Sequence, residues 1–555
     1  MFELIRDTVF GHLVRFVTRG KALPYPEDKN PDCWRQYVDH EKTARVAHHG
    51  HTEEPEDEDE SKEEPSQGRE ISLIHNNQET AGQIASDQPE DFGTRGQHRP
   101  SQVTSSSEDT QIDHGQRTND LGHIIDPEKG KDMNIIHFDG DSDVENPRNW
   151  SLSKKIVVTA LICLLTTSIY IGSSIYTPGL KEITEIFGVS QVAATLGLTL
   201  FVAGYGIGPM IFAPLSEIPQ IGRNPIYIGT LIIFVCFQLA VIYAKNFGML
   251  LAFRFLTGFF GSPVLATGGA SIGDIWSPQK RAYAMTVWGL FAVCGPTLGP
   301  VVGGFAAQYK GWTWTIWELM WLSGFTLVVL IFFLPETSSA NILYRRSRRL
   351  RILTGNEKLT SESELAAADM TPRQVAMIAL VRPFTLNFTE PMVFLLNLYI
   401  ALIYGLLYVW FESFNIVFVE TYGFSISIEG LTFLGILVGA LVVIPPFFWY
   451  LHKHVEPKFN KKGELKPEYR LPAACVGSFF IPICLFWFGW SAGNTHWIMP
   501  IIGSAFFSIG AVLLFNSVLN YLPDAYPEYA ASVLAGNDFF RSMFGAGFPL
   551  FASAM

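Results

Sequence analysis

The chain has 555 residues, of which 48% are hydrophobic and 14% aromatic, with 43 phenylalanines. Its uncharged runs reach the length of about 20 residues that a bilayer-crossing helix needs, which excludes an ordinary soluble globular protein. The net charge of −12 is local: residues 51–150 hold 25 Asp+Glu against 8 Lys+Arg, giving −17, while residues 1–50 give +1 and residues 151–555 give +4. The acidity therefore belongs to a tail. Of the six cysteines only Cys33 lies outside the apolar runs, and no disulfide or metal-ligand spacing is present.

Residues 1–20 scatter charges among apolar residues, unlike a cleaved signal peptide. Phe2, Ile5, Val9, Leu13 and Phe16 recur at helical spacing, and Arg6, Arg15 and Arg19 suit anionic headgroups. This amphipathic segment is expected either to lie at the membrane interface or to pack on the body of the protein. Residues 21–150 read as a mostly disordered, acidic cytoplasmic tail, with nine acids among the twelve residues Glu53–Glu64. Nine of thirteen histidines fall in or just before it, at irregular spacing that suits solvated side chains better than a metal site.

Eleven apolar spans follow, approximately Lys155–Thr177, Val192–Pro214, Ile226–Ala244, Phe247–Ile272, Ala282–Ala306, Thr315–Leu334, Met392–Phe411, Ile426–Tyr450, Leu471–Trp490, Trp497–Leu519 and Ala530–Met555. The fold class is an all-α polytopic membrane protein. The loops after spans two, four, six and eight carry seventeen Lys+Arg, against Lys181, Lys245 and Lys310 on the other loops, so the positive-inside rule places the N-terminus in the cytoplasm. Both sequons, at Asn149 and Asn387, then face the cytoplasm and stay unglycosylated. The chain divides into a first half at 151–337, a cytoplasmic linker at 338–390 and a second half at 391–555. The linker contains the basic run Tyr344–Arg351, which reads as a simple topology determinant, with attraction of anionic lipid just beneath the membrane as the alternative.

Within span five, Gly295, Gly299 and Gly303 fall four apart and make a smooth face for close helix packing. Pro296 and Pro300, on a neighbouring face, each remove an amide donor and predict a bend or hinge.

Intramembrane charges are few, and each is a candidate for function. Arg254 sits two turns into span four; arginine keeps its proton, so its expected role is to tune a partner carboxylate. Asp538 and Arg541 stand at helical spacing in span eleven and read equally as an ion pair or a proton site. Glu412 lies near the end of span seven, where it either attracts cationic compounds or meets interfacial water. Asp274, closing span four, reads as structural. No phosphate-binding loop is present, since the two Gly-Lys pairs lack the glycine five residues earlier, so ATP-driven pumping is not expected.

Several motifs carry a family resemblance. Asp143-Val144-Glu145-Asn146-Pro147-Arg148-Asn149-Trp150-Ser151 leads into span one; Ala213-Pro214-Leu215-Ser216-Glu217 and Gly222-Arg223-Asn224-Pro225 join spans two and three. Leu250–Gly261 carries Arg254, Gly289–Gly304 is the glycine-proline stretch, and Leu334-Pro335-Glu336-Thr337 closes the first half. In this order the motifs resemble the major facilitator superfamily, and within it the fungal twelve-span drug:proton antiporters that export azoles, benomyl and similar compounds.

The resemblance implies two six-span halves and proton-driven efflux at the plasma membrane by a monomer. It implies no cofactor beyond the proton gradient, no enzymatic activity and no nucleic-acid partner. Glu217, Gly222 and Arg223 match the loop motif, read as a cytoplasmic gate latch that holds the inner ends of the halves together. The acid-to-glycine spacing is longer than the family's, and Asn224 stands where a second basic residue is usual. Gly289, Gly295, Pro296, Gly299, Pro300, Gly303 and Gly304 match the span-five antiporter motif, where one half is expected to slide on the other. Tyr170 and Tyr176 of span one, Tyr404, Tyr408 and Phe411 of span seven, Asn516 and Asn520 of span ten and Asn537 of span eleven are candidates to line a central cavity.

The chain ends within or just after span eleven, where the family has a twelfth span, so a truncated and inactive transporter stands as an alternative. A nutrient importer or facilitator of the same fold is another, disfavoured by the span-five motif.

Overall fold

The computed structural model describes residues 5–29, 32–35, 37, 134–140, 143–368, 370–461 and 463–552. The acidic run Glu53–Glu64 and the histidines around it lie outside the described residues. Ten helices among the described residues are long and apolar enough to cross a membrane. They are α1 (Leu152–Ser174), α2 (Gln191–Glu217), α3 (Asn224–Ile242), α4 (Phe247–Gly261, continued by Pro263–Ile275), α5 (Pro278–Lys310), α6 (Trp312–Phe333), α7 (Pro391–Phe414), α8 (Leu434–Tyr450, preceded by Ile426–Thr432), α9 (Leu471–Ser491) and α10 (Ile498–Ala525). An eleventh helix, α11 (Ala530–Gly547), is shorter, and its apolar run is broken by Asn537, Asp538 and Arg541.

Local chemistry sets the helix starts. Ser151, Ser190 and Asn246 each accept the N–H three residues on, and prolines occupy the first turns of α3, α5, α7 and α9. Gly311, at φ +92°, turns the chain into α6, whose first N–H, from Trp312, donates to the Glu182 carboxylate at 2.6 Å. A carboxylate there also meets the positive end of the helix dipole. The outer faces are apolar, with Trp321, Phe325, Val442, Phe479 and Trp490 exposed, as lipid-facing helices require.

The helices form two bundles. In the first, α1 packs on α5, α2 on α4, and α3 on α4 and α6; in the second, α9 packs on α10, α7 on α11, and α8 on α10. The bundles meet along two seams, α2 against α11 and α5 against Ile426–Thr432 with α8. We refer to the end carrying the linker and the basic loops as the basic end.

Both margins of the segment read as a mostly disordered tail belong to the folded body. Ile135–Ile136 pair as a short parallel ladder with Thr360–Ser361 of the linker. The basic linker helix Ser339–Thr354 is held by acids from these margins. Arg346 donates to Asp139 at 2.5 Å and to Asp143 at 2.6 Å, and Arg349 to Glu145 at 2.9 Å and to Glu27 at 3.1 Å. The Arg349 guanidinium also lies 3.8 Å over the buried Tyr25 ring.

Burial disfavours ionisation of Asp143, yet the Asp139 N–H, Arg346 and the Glu145 N–H together hold its carboxyl below its ordinary value. Glu145 moves the other way, because burial outweighs the attraction of Arg349. Burial pushes the Tyr25 hydroxyl up to about 12. Of the basic run Tyr344–Arg351, Arg346, Arg349 and Arg351 are paired with carboxylates, and Arg348 remains exposed.

The N-terminal helix Val9–Val17 combines both readings of that segment. Phe10 packs on Phe332 at the end of α6, 4.8 Å between centroids, while Leu13, Phe16 and Val17 are exposed on the other face.

Candidate functional site

Between the bundles a cavity of about 460 Å³ runs in from the basic end. Its mouth is formed by helix termini, with Glu217 at the end of α2, Asp274 at the end of α4, Arg281 at the start of α5 and Pro523 near the end of α10. It reaches inward to Trp288, Asn537, Asp538 and Arg541. Beyond them lies a chamber of about 70 Å³, whose wall shares Trp288, Leu519 and Arg541 with the cavity. Tyr170, Tyr404 and Asn516 line the chamber, among aliphatic and aromatic side chains such as Leu407 and Phe507.

Arg541 stands at the junction. It pairs with Asp538, Nε to Oδ1 at 2.9 Å, and donates through Nη2 to the Tyr170 hydroxyl at 3.2 Å. Both charges are buried, at 7% and 3% exposure, so the pair is drawn together by the low dielectric around it. Among the described residues Asp538 Oδ2 and Asn537 Oδ1 have no hydrogen-bond partner. Asn537 itself ends a ladder of buried amides, donating to Asn397, which donates to Asn387.

The opposite end is sealed in three layers. In the first, the Tyr205 hydroxyl of α2 bonds those of Tyr404 and Tyr408 of α7 at 2.7 and 2.8 Å, and Tyr408 donates to Ser173 of α1 at 3.0 Å. These four hydroxyls stitch the halves together. Phe411, Phe414 and Phe433 stack above them, 4.3 Å between the last two centroids. Gln191 of α2 then donates to Glu412 of α7 at 3.4 Å.

Of the eight residues offered as cavity lining, five reach the cavity or its chamber: Tyr170, Tyr404, Asn516, Asn520 and Asn537. Tyr176, Tyr408 and Phe411 do not: Tyr408 and Phe411 fill the sealing layers, and Tyr176 packs within the first half. Tyr176 is fully buried and donates to the Ala194 carbonyl at 3.1 Å, under the Arg254 guanidinium.

Arg254 differs from its expected role. Among the described residues no carboxylate pairs with it. Its guanidinium donates to the Gly172 and Gly197 carbonyls at 3.0 Å and lies between the Tyr176 and Phe201 rings, at 4.6 and 4.4 Å. It ties α1, α2 and α4 together, at the point where Gly197 lets the Tyr176 ring come close.

The loop motif is likewise internal to the first half. Arg223 pairs with Asp274 at 2.7 Å, as the structural reading of Asp274 expects, while Glu217 is exposed at the cavity mouth. Gly222, at φ +76°, packs against Glu336 and Asn341. The Glu336 carboxylate accepts four backbone N–H groups, from Arg223 and Asn224 at 3.2 Å and Thr337 and Ser338 at 2.9 Å. Among the described residues no latch between the halves forms from Glu217 or Arg223 in this conformation. The ion pairs that do bridge the halves at this end are Arg281 with Asp524, at 2.8 Å, and Lys280 with Glu456.

In α5 the two faces of the glycine-proline motif serve different partners. A Cβ at Gly295 would lie 2.4 Å from Tyr170 Cβ, and one at Gly299 1.9 Å from Ser174 Oγ, so this face packs on α1 of the same half. The face toward the other half is formed by Pro300 and Gly304, against Gly430 and Ile426. Gly303 meets the Ile175 carbonyl, and Gly289 faces the open chamber near Asn516. Pro296 and Pro300 are both accommodated inside one continuous helix.

Sequence reasoning gave no role to Tyr205, Ser173, Trp288, Arg281 or Asp524. A buried hydroxyl such as Tyr205 leaves no mark in a hydropathy pattern, and the Arg281–Asp524 pair joins residues far apart in the chain. Glu336 stood inside a quoted motif, and the apolar run that ends at Leu334-Pro335 just before it was the available sign of its burial.

Comparison with known proteins agrees with this architecture. Residues 162–549 match the Major Facilitator Superfamily. The chain is 48% identical over 438 residues to transporter mfs1 of Schizosaccharomyces pombe, covering 78% of this chain and 82% of that protein. It is 42% identical over 420 residues to fluconazole resistance protein 1 of Saccharomyces cerevisiae, 76% of each chain, and 39% identical over 467 residues to the cycloheximide resistance protein of Candida maltosa, 82% and 83%. Among solved structures, the xylose transporter XylE from E. coli, in a partially occluded inward open conformation, aligns with a TM-score of 0.50 at 14% identity, over 72% of this chain and 92% of that one. That likeness concerns the fold alone. The chain belongs to the major facilitator superfamily of membrane transporters, in the fungal branch of its drug-resistance relatives.

Proposed function

We propose that the chain exports amphipathic, drug-like compounds from the fungal cytoplasm, azoles and benomyl among them, in exchange for protons. The observation that carries this reading is the cavity between the halves: open at the basic end, closed at the other by a hydroxyl and aromatic seal, and floored by a buried carboxylate–guanidinium pair. The positive-inside bias makes the basic end cytoplasmic. The geometry is then that of a state which loads from the cytoplasm, and alternating access requires a second state opened at the far end. Apolar walls with a few polar groups suit large compounds of varied chemistry.

Asp538 is the group best placed to exchange a proton with cavity water, since it reaches the cavity and Arg541 holds it. Glu412 is placed to meet protons at the far side, and Glu217 and Arg223 to engage the other half once the cytoplasmic mouth closes. Fluconazole and cycloheximide, named for the relatives, are the first compounds to test. The protein acts at the plasma membrane as a monomer, with its N-terminus cytoplasmic and no cofactor beyond the proton gradient.

Expression of the chain in an efflux-deficient yeast, with drug susceptibility and dye efflux followed with and without a protonophore, tests the reading. Lower susceptibility and protonophore-sensitive efflux are expected. Efflux indifferent to the gradient would refute the coupling, and unchanged susceptibility would refute export.

A further inference from the structure

One buried carboxylate outside the cavity has no use in the scheme so far. Glu429 sits in the short helix Ile426–Thr432 and is 7% exposed. Among the described residues its side chain has neither a cation nor a hydrogen-bond donor as partner, whereas Glu412, nearby in the same end of the bundle, accepts from Gln191.

The helix lies in the seam with α5. Gly430 abuts the Pro300 carbonyl so closely that a Cβ would come within 2.3 Å, Gly304 abuts the Ile426 carbonyl, and the Ser427 N–H donates to Gln308 Oε1 at 3.0 Å. Glu429, Phe433 and Ile436 follow at helical spacing on one face. Phe433 belongs to the aromatic seal and Ile436 lines the chamber, so Glu429 crowns the stack on the side away from the cavity. The elements packed against this helix offer it no counter-charge. α5 brings neutral Gln308 and then Lys310, whose amine lies over Trp314; the turn at 415–421 brings exposed Glu420; α8 is uncharged along its length.

An ionised carboxylate in such a place is strongly disfavoured, and a neutral one is tolerated. The seam must part at this end when the transporter opens outward, and water would then reach the side chain.

We propose that Glu429 is a proton-linked lock on this seam: the carboxyl carries its proton while the seam is closed and releases it to the outer water when the seam opens. Proton occupancy is thereby tied to conformation at a point remote from the drug cavity. The proposal rests on the proton-exchange reading, although its test does not need a drug.

The test places a cysteine at Ser427 in the full chain and measures its labelling on intact yeast by a membrane-impermeant maleimide. Rates are normalised at each pH to a cysteine at exposed Asn494, which removes the thiol's own titration. With Glu429 present, normalised labelling should rise with external pH, by at most about tenfold per pH unit for one titrating group. Glu429→Gln should hold labelling low at every pH, and Glu429→Asp should keep the dependence with a shifted midpoint. The proposal is overturned if Glu429→Gln labels with the pH dependence of the parent. Should the Gln variant fail to reach the membrane, the Asp variant decides, since an unmoved midpoint is equally fatal. If seam labelling follows Glu429 while the parent exports no drug, the export reading fails alone.

Discussion

Substitutions along the glycine stripe of α5 should be graded by what each new methyl group meets. At Gly295 a Cβ would lie 2.4 Å from Tyr170 Cβ, with the Ile171 nitrogen at 2.9 Å. Neither atom can rotate away, so reaching ordinary contact at 3.4 Å requires α1 and α5 to separate by about 1 Å. At Gly299 the nearest atom is the rotatable Ser174 Oγ at 1.9 Å, and the fixed Ile175 nitrogen behind it, at 2.8 Å, leaves about 0.6 Å to find. At Gly289 the nearest atom is 3.6 Å away, already ordinary contact.

Overpacking of this kind costs about 1–3 kcal/mol. Gly295→Ala should approach the top of that range, Gly299→Ala the bottom, and Gly289→Ala should be close to neutral. Export should suffer further in Gly295→Ala, because Tyr170 both lines the chamber and receives the Arg541 hydrogen bond. The assay is thermal melting of the purified full chain in detergent, alongside drug efflux at matched membrane abundance. Equal melting temperatures for Gly295→Ala and Gly289→Ala would refute the close-packing argument.

Arg254→Lys should lose most of its membrane-resident protein, because a point-charge ammonium cannot span the Gly172 and Gly197 carbonyls as the guanidinium fork does; fluorescent-fusion abundance measures it. Glu336→Gln keeps an oxygen for the three N–H groups on Oε1 but loses the charge and turns an amine toward the Asn224 N–H held by Oε2, and should destabilise the loop between α2 and α3 by about 1–3 kcal/mol, read as increased proteolysis there. Burial, with Arg345 nearby, pushes His12 down to about 4, below its ordinary 6.5. An unfolded segment therefore binds more protons between those values, and attachment of the Val9–Val17 helix should be intact above about pH 6.5 and weaken as pH falls toward 4. Hydrogen exchange of residues 9–17 across this range should show it, and His12→Asn should flatten it. Finally, Asn387 is 1% exposed and bonded to Asn397, so no glycan should be found on it by mass spectrometry.

The helical spans were legible because lipid imposes long apolar runs that few other constraints disturb. The close approach of α5 to another helix was legible for the same kind of reason, since glycines four apart leave a groove whatever fills it. The partner was not: nothing in Gly295 or Gly299 distinguishes Ser174 of the same half from Ile426 of the other. Charges were misread in a consistent way. Arg254 was expected to seek a carboxylate and satisfies itself on helix carbonyls, and in the run Tyr344–Arg351, read from its charge alone as a topology determinant, Arg346 and Arg349 bind acids from more than two hundred residues upstream. Hydropathy locates a charge along the chain but carries no information about its partner. Five of the eight cavity candidates line the cavity or its chamber, and the other three show that an aromatic side chain in a span serves equally well as a wall or a plug.

The clamp on the linker helix settles where the transporter can flex. Residues 339–364 are riveted to the margins of the N-terminal tail through Arg346, Arg349 and the ladder at Thr360, and to the first half through Asn341, which donates to the Pro219 carbonyl, while Pro383 lies against Gly536 of α11 and Glu390 accepts from Tyr526. What sequence treats as one long loop is thus two fixed brackets, and the capped helix Pro372–Leu380 between them packs on α2 of the first half. The linker is held to one half or the other along most of its length, and rocking of the halves has only the short joint at Val381, between that helix and Arg382–Thr389, to turn on.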